Sequence, residues 1–247
     1  MEKTSVEMSS KNRTGIGMSP VDSQRMIDAA QAAPPSSSGD ESALAKLDSV
    51  YIREAEPVGS VPPPGTLKGM AQATLQKLTG KHPEVLVDKL GERLAFERTG
   101  TRLYDYLINK CETASEAGSP ISVDTLKRFR REEAQHFKLV AKALESLGAD
   151  PTTQTPGADV SAVASSGVLQ IMSDPRTSID QSLEAILTAE LVDHAGWELL
   201  IRLTSEMGLD DMANDFRTAL AEEDDHLMQV RQWHEQSTLS HAGVSAI

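Results

Sequence analysis

From residue 83 onward, apolar residues return every three or four positions, the period of helices that bury one face. Four long runs follow this rule. The first covers about Pro83 to Glu112, its proline suited to an opening turn, and carries the seam Leu90, Leu94, Glu97, Thr101, Tyr104, Ile108. The second runs from near Ser122 to near Leu147 and is closed by Gly148; its seam is Leu126, Phe129, Glu133, His136, Val140, Ala143, Leu147. The third begins near Ser178 and stops at Met207–Gly208, with Leu183, Ile186 or Leu187, Glu190, His194, Trp197 and Ile201 along one face. The fourth runs from near Asp210 to about Gln236 through Met212, Phe216, Ala219, Glu223, His226, Val230 and Trp233. Short links join the first run to the second and the third to the fourth. Between these hairpins lies a crossover of about thirty residues with Pro151, Pro156 and Pro175, and a short helix is expected near Val160 to Met172. The pattern predicts an all-α fold, an antiparallel four-helix bundle with one long crossover.

The bundle domain is expected over residues 66–237, opened by a short helix from Thr66 to Leu78. Residues 1–65 include PPSSSG and PPPG and are expected to form a disordered Ser/Pro-rich tail, with a helical turn near Glu41 to Leu47. Residues 238–247 are expected to be a loose C-terminal tail. Apolar residues make up 39% and aromatics 4%, so the core must be mainly aliphatic, which suits helix-on-helix packing. The net charge of -13 argues against a nucleic-acid partner, because phosphate contacts need clustered Lys and Arg. Cys111 is the single cysteine, which excludes an intrachain disulfide and the four-cysteine iron site of a rubredoxin module. The first thirty residues hold no apolar run of secretory length, and no stretch approaches about 18 consecutive apolar residues. The expectation is a cytoplasmic protein with no membrane partner.

The chemistry enters where the seams turn ionisable. Burying an unpaired carboxylate costs many kcal/mol, so Glu97, Glu133, Glu190 and Glu223 must be protonated, paired or bound to a cation. Glu133-x-x-His136 and Glu223-x-x-His226 each place a carboxylate and an imidazole one turn apart on one face, able to meet at one ion. Four carboxylates and two neutral imidazoles carry a charge of -4, which balances two divalent cations. The halves also repeat. Glu97 to Glu133 spans 36 residues and Glu190 to Glu223 spans 33, with Tyr104-Asp105-x-Leu107-Ile108 matching Trp197-Glu198-x-Leu200-Ile201. The motif Glu132-Glu133-x-x-His136 matches Glu222-Glu223-x-x-His226 in the same way.

On these residues the chain resembles the ferritin-like di-metal carboxylate proteins, the superfamily of ferritins, bacterioferritins, rubrerythrins and manganese catalases. The resemblance covers about residues 83 to 237. It implies a ferritin-like bundle with the six residues Glu97, Glu133, His136, Glu190, Glu223 and His226 as metal ligands. It also implies that Glu132 hydrogen-bonds His226, that Glu222 hydrogen-bonds His136, and that Tyr104 bonds a ligand carboxylate. Trp197 departs from the expected tyrosine. Both aromatics are read as core packing before redox relays. His194 is read as a rim histidine before a seventh ligand, Cys111 as an inert thiol, the acidic run Glu222 to Asp225 as a solvated helix face, and His82, His234 and His241 as solvated.

The resemblance further implies two Fe ions and ferroxidase or peroxide- or oxygen-reducing chemistry, in the setting of stress protection. Two Mn ions or a mixed Mn/Fe pair, as in manganese catalase, and non-catalytic iron storage stay open beside it. Haem is not expected, since Ala134 follows Glu133 where bacterioferritins place a methionine. The expected partners are metal ions, dioxygen or hydrogen peroxide, an external electron donor because no rubredoxin is fused, and a second copy in a homodimer.

Overall fold

The computed structural model describes residues 6, 8–34, 40–67, 69–71, 74, 82–114 and 120–244. Its described residues are helical or irregular, with no strand among them. They divide into two compact units, Val6–Pro57 and a larger one that begins at Val58. In the smaller unit α1 (Pro20–Ala32) and α2 (Ser42–Glu54) are regular helices, α2 extending the helical turn expected near Glu41 to Leu47, and no residue of either is buried. Local order accounts for them. Pro20 opens α1, Gln24 Nε2 donates to Asp28 Oδ1 over 2.8 Å, and Asp40 Oδ1 accepts from the Ser42 N–H over 2.9 Å at the start of α2. The Ser/Pro-rich flanks dominated the composition and hid these helix-forming stretches. Of the short helix expected over 66–78, residues 67, 69–71 and 74 are helical and the rest lies outside the described residues.

The larger unit contains α3 (Pro83–Thr113), α4 (Val123–Ser146), α5 (Pro156–Ser173), α6 (Ile179–Glu206) and α7 (Asp210–His241). Each long helix starts where its sequence says it should. Ser122 accepts from the Thr125 N–H at the head of α4, and Ser178 with Gln181 forms a reciprocal capping box at the head of α6. Gly148 (φ 76°) and Gly208 (φ 75°) take the left-handed conformation that ends α4 and α6. Helix α3 packs against α4, α5 and α6; α6 packs against α7 and α5, and α4 meets α7. The crossover helix α5 is tied to α3 by the Gly157 N–H donating to Asp88 Oδ1 over 2.8 Å. The α5–α6 link is held by Lys110 Nζ, which donates to the Asp174 and Thr177 carbonyls at 3.1 Å and to Ser182 Oγ at 3.0 Å.

The core falls into two apolar clusters. One holds Leu107, Leu126, Phe129, Leu183, Ile186 and Val230; the other holds Leu86, Leu90, Val140, Leu200 and Phe216. On every long helix the ionisable seam residues lie between a segment of one cluster and a segment of the other. They therefore occupy one level of the interior, sealed above and below. No helix among the described residues is long and apolar enough to cross a membrane.

The fourth long helix, expected to end at about Gln236, runs on to His241, so residues 238–241 of the expected C-terminal tail are helical; residues 245–247 lie outside the described residues. Asp180, buried at the start of α6, accepts hydrogen bonds from Ser237 Oγ and from the His241 ring through Nδ1, so His241 is not merely solvated. Asp180→Ala removes both ties at once. Hydrogen exchange at residues 237–241 should then quicken while the bundle core stays protected, with a loss of about 1–3 kcal/mol in thermal unfolding. Unchanged exchange there would show that other contacts hold the end of α7.

Candidate metal centre

Helix α3 brings Glu97 to the central level, α4 brings Glu133 and His136, α6 brings Glu190, and α7 brings Glu223 and His226. All six are at most 3% exposed. Three sets of residues offer ligand atoms lying within 4.8 Å of one another: Glu133, Glu190, Glu223 and His226; Glu97, His136 and Glu223; and Glu97, Glu133, Asp193 and Glu223. Each set could hold a metal ion. Glu223 belongs to all three, and its two oxygens face the two imidazoles. Its Oε1 is 2.6 Å from His136 Nδ1 and its Oε2 is 3.2 Å from His226 Nδ1.

These approaches lack the direction of a hydrogen bond. Glu97 Oε2, Glu133 Oε2, Glu190 Oε2, both Glu223 carboxylate oxygens and Nδ1 of both histidines are buried with no hydrogen-bond partner among the described residues. Buried polar atoms are nearly always paired, and an orphan costs about 1–3 kcal/mol or more when charged. A cluster of orphans converging on one level is what a set of cation ligands looks like without its cation, so the donor set fits a metal centre.

The outward faces of both histidines are engaged. His136 Nε2 lies 2.7 Å from Glu222 Oε2, and His226 Nε2 lies 2.9 Å from Glu132 Oε2, each bond crossing between α4 and α7. A proton held on Nε2 leaves the Nδ1 lone pair facing the cluster. Glu132 is itself steadied by Arg128, whose Nη1 donates over 3.1 Å while its Nη2 reaches Asp225 at 2.5 Å. Tyr104 donates its hydroxyl proton to Glu190 Oε1 over 2.6 Å. Trp197 instead packs edge-on to His136, ring centroids 5.6 Å apart, and its Nε1 bonds no ligand carboxylate. His194 sits at the rim, with Nε2 2.9 Å from Asp224 Oδ1 and outside all three ligand sets.

Two seams differ in phase from the prediction. On α6 the buried face runs Leu183, Ile186, Glu190, Asp193, Trp197, Leu200, so Asp193 and Leu200 stand where His194 and Ile201 were expected. On α3 Gly100, not Thr101, is buried after Glu97; the Thr101 hydroxyl turns back to the Arg98 carbonyl over 2.9 Å. Asp193 was missed with its partner Arg93. The Arg93 guanidinium bonds the Asp193 carboxylate, donates to the Asp193 carbonyl over 3.2 Å, and reaches Glu97 Oε1 at 3.4 Å. The i, i+3 spacing of Glu190 and Asp193 was the available signal, masked by counting four residues instead of three.

The electrostatics follow from crowding charge out of water. Burial and then the nearby carboxylates push Glu97 and Glu190 well above the usual carboxylate range; at Glu97 the Arg93 charge opposes the shift. Burial likewise raises Asp193, against Arg93. Burial works against charge on the imidazoles, but the facing carboxylates win and hold His136 up to about 9 and His226 up to about 12. Burial would raise Glu223, yet its two histidine neighbours bring it down to about 2.

Comparison of the chain with protein-family models, curated proteins and solved structures returns no match. The site therefore stands on its own geometry.

Two glycines make room for it. A Cβ on Gly100 would lie 2.1 Å from Glu133 Oε2, and one on Gly196 would lie 1.5 Å from Arg93 Nη2. Mid-helix glycine costs roughly 1 kcal/mol against alanine, so space for these side chains outweighs propensity. Gly100→Ala should lower stability by about 1–3 kcal/mol and weaken divalent-cation loading, whereas Gly167→Ala, with open space around it, should be neutral or stabilising. Melting curves with and without Mn(II) check both; a Gly100 variant indistinguishable from the parent would refute the steric argument.

Proposed function

We propose that this chain is a ferritin-like protein that binds a dinuclear metal centre, most simply di-iron, through Glu97, Glu133, His136, Glu190, Glu223 and His226. The observation that carries the reading is the convergence of buried carboxylate oxygens and Nδ1 atoms that lack hydrogen-bond partners. The four long helices, the short links within each hairpin and the long crossover support the same assignment. When bound, iron in such an oxygen- and nitrogen-rich set supplies one-electron chemistry toward dioxygen or peroxide.

The protein's own contribution is positional. Glu222 and Glu132 orient the histidines, and Tyr104 steadies Glu190 and stands as a proton donor beside it. The apolar clusters above and below exclude bulk water. We read the activity as ferroxidase or peroxide- or oxygen-reducing chemistry, drawing electrons from a separate donor.

Metal analysis of protein from its native host distinguishes iron from manganese. Anaerobic Fe(II) loading should give two ions per chain, and admitting air or peroxide should then develop ferric absorption. Glu133→Ala and His226→Ala should lose two-ion stoichiometry, while His194→Ala should keep it. Two ions retained in the Glu133 variant would sink the ligand assignment, and ferric absorption that never develops would sink the redox reading.

Loading must also displace protons. At pH 7 both histidines lie below their raised values of about 9 and about 12 and so hold a proton that a cation at Nδ1 must expel. Acidification restores the competitor, so affinity should fall from pH 8 to pH 6. Titration of weakly buffered protein with a divalent cation should release at least two protons per chain. Loading that releases none would contradict the protonated, cation-free cluster.

A further inference from the structure

We propose that the two cation positions are unequal and fill in order, the Glu190/His226 position first, with Arg93 as the residue that sets the order. This rests on the dinuclear reading above. The two terminal glutamates are equivalent in the repeat but are held from behind by unlike groups. Glu190 Oε1 accepts from the Tyr104 hydroxyl at 2.6 Å, a neutral donor. Glu97 Oε1 is 3.4 Å from Arg93 Nη1, a guanidinium that stays charged at any working pH.

Arg93 is built into this place. It is 5% exposed, its Cζ lies 5.0 Å from the Phe96 ring centroid and 5.4 Å from that of Trp197, and Gly196 leaves the space it fills. It also takes up Asp193, a carboxylate that falls within ligand range of Glu97, Glu133 and Glu223. A cation beside Glu97 must share both carboxylates with a fixed positive charge and is repelled by it where no water screens the pair. A cation beside Glu190 meets four convergent ligands and a neutral phenol. Arg93 is thus a positioning residue that acts through Glu97 and Asp193.

Titration of the full chain with Mn(II), followed by electron paramagnetic resonance, tests the order without any turnover. The first equivalent should appear as isolated Mn(II), with the second bound at least about tenfold more weakly and a spin-coupled pair appearing only then. Glu97→Gln should keep the tight step and lose the weak one, and Glu190→Gln should lose the tight step. Arg93→Met should bring the two steps within a few-fold of each other. Since that variant leaves Asp193 buried without its partner, Arg93→Met/Asp193→Asn makes the same test with the pair's net charge conserved.

A coupled pair from the first equivalent in the parent, or an unchanged ratio in the folded double variant, overturns the proposal while leaving the dinuclear reading intact. A parent chain that binds no Mn(II) would instead overturn that reading, and this proposal with it.

Discussion

Everything in the larger unit depends on the burial of five carboxylates at one level of an apolar core. Glu97, Glu133, Glu190, Asp193 and Glu223 come from all four long helices. Transfer of even one bare carboxylate into such an interior costs several kcal/mol, so the level exists only if compensating charge is supplied there. Two imidazoles and one guanidinium supply part of it, and bound protons supply more in the absence of a cation. The apolar clusters on either side intensify the problem by excluding water, and they also confine the solution. A cation placed at this level would replace several protons and leave the helices where they are.

The outer partners show how the helices are kept in register around that level. His136 and His226 sit on helices that meet at the site, and each is bonded to a glutamate of the other helix. The pair of bonds works as a reciprocal lock, since a slide of α7 along α4 would break both. Arg128 extends one half of the lock to the surface by bonding Glu132 and Asp225 together. The other half, through Glu222, ends at a partly exposed carboxylate. Orientation of Nδ1 toward the interior is thus a by-product of the same bonds that align the helices.

How much of this was legible follows from what each residue does locally. Helix spans from 83 onward were readable because capping residues, closing glycines and the apolar period agree. The six converging residues were readable because each breaks its own seam in the middle. Arg93 and Asp193 were not, because an arginine on a helix reads as a solvated residue until a partner a hundred positions away is known. Nor were Gly100 and Gly196, whose reason is a side chain arriving from another helix. The extension of α7 was hidden likewise, since its anchor, Asp180, lies on α6. Helix α1 was missed, and α2 read only as a turn, for the opposite reason: their local signals were sufficient, but composition averaged over the flanks outweighed them.

The repeat makes the departures from symmetry informative. With Glu97 set against Glu190, Gly100 falls opposite Asp193, Tyr104 opposite Trp197, and Arg93 opposite Ile186. A pure duplication would have placed the same side chain on both members of each pair. At the first pair, one helix withdraws to nothing so that the Glu133 carboxylate can enter, while the other pushes an additional carboxylate inward. That carboxylate would be untenable alone, and Arg93 neutralises it from the helix whose glycine opened the space. At the second pair, one aromatic donates a hydrogen bond to Glu190 and the other only packs. These three differences are coupled. A phenol beside Glu190 and a guanidinium beside Glu97 mean that one half of the cluster is steadied by a neutral donor and the other by a charge. The repeated scaffold thus carries two halves of matching helix layout and unequal electrostatics.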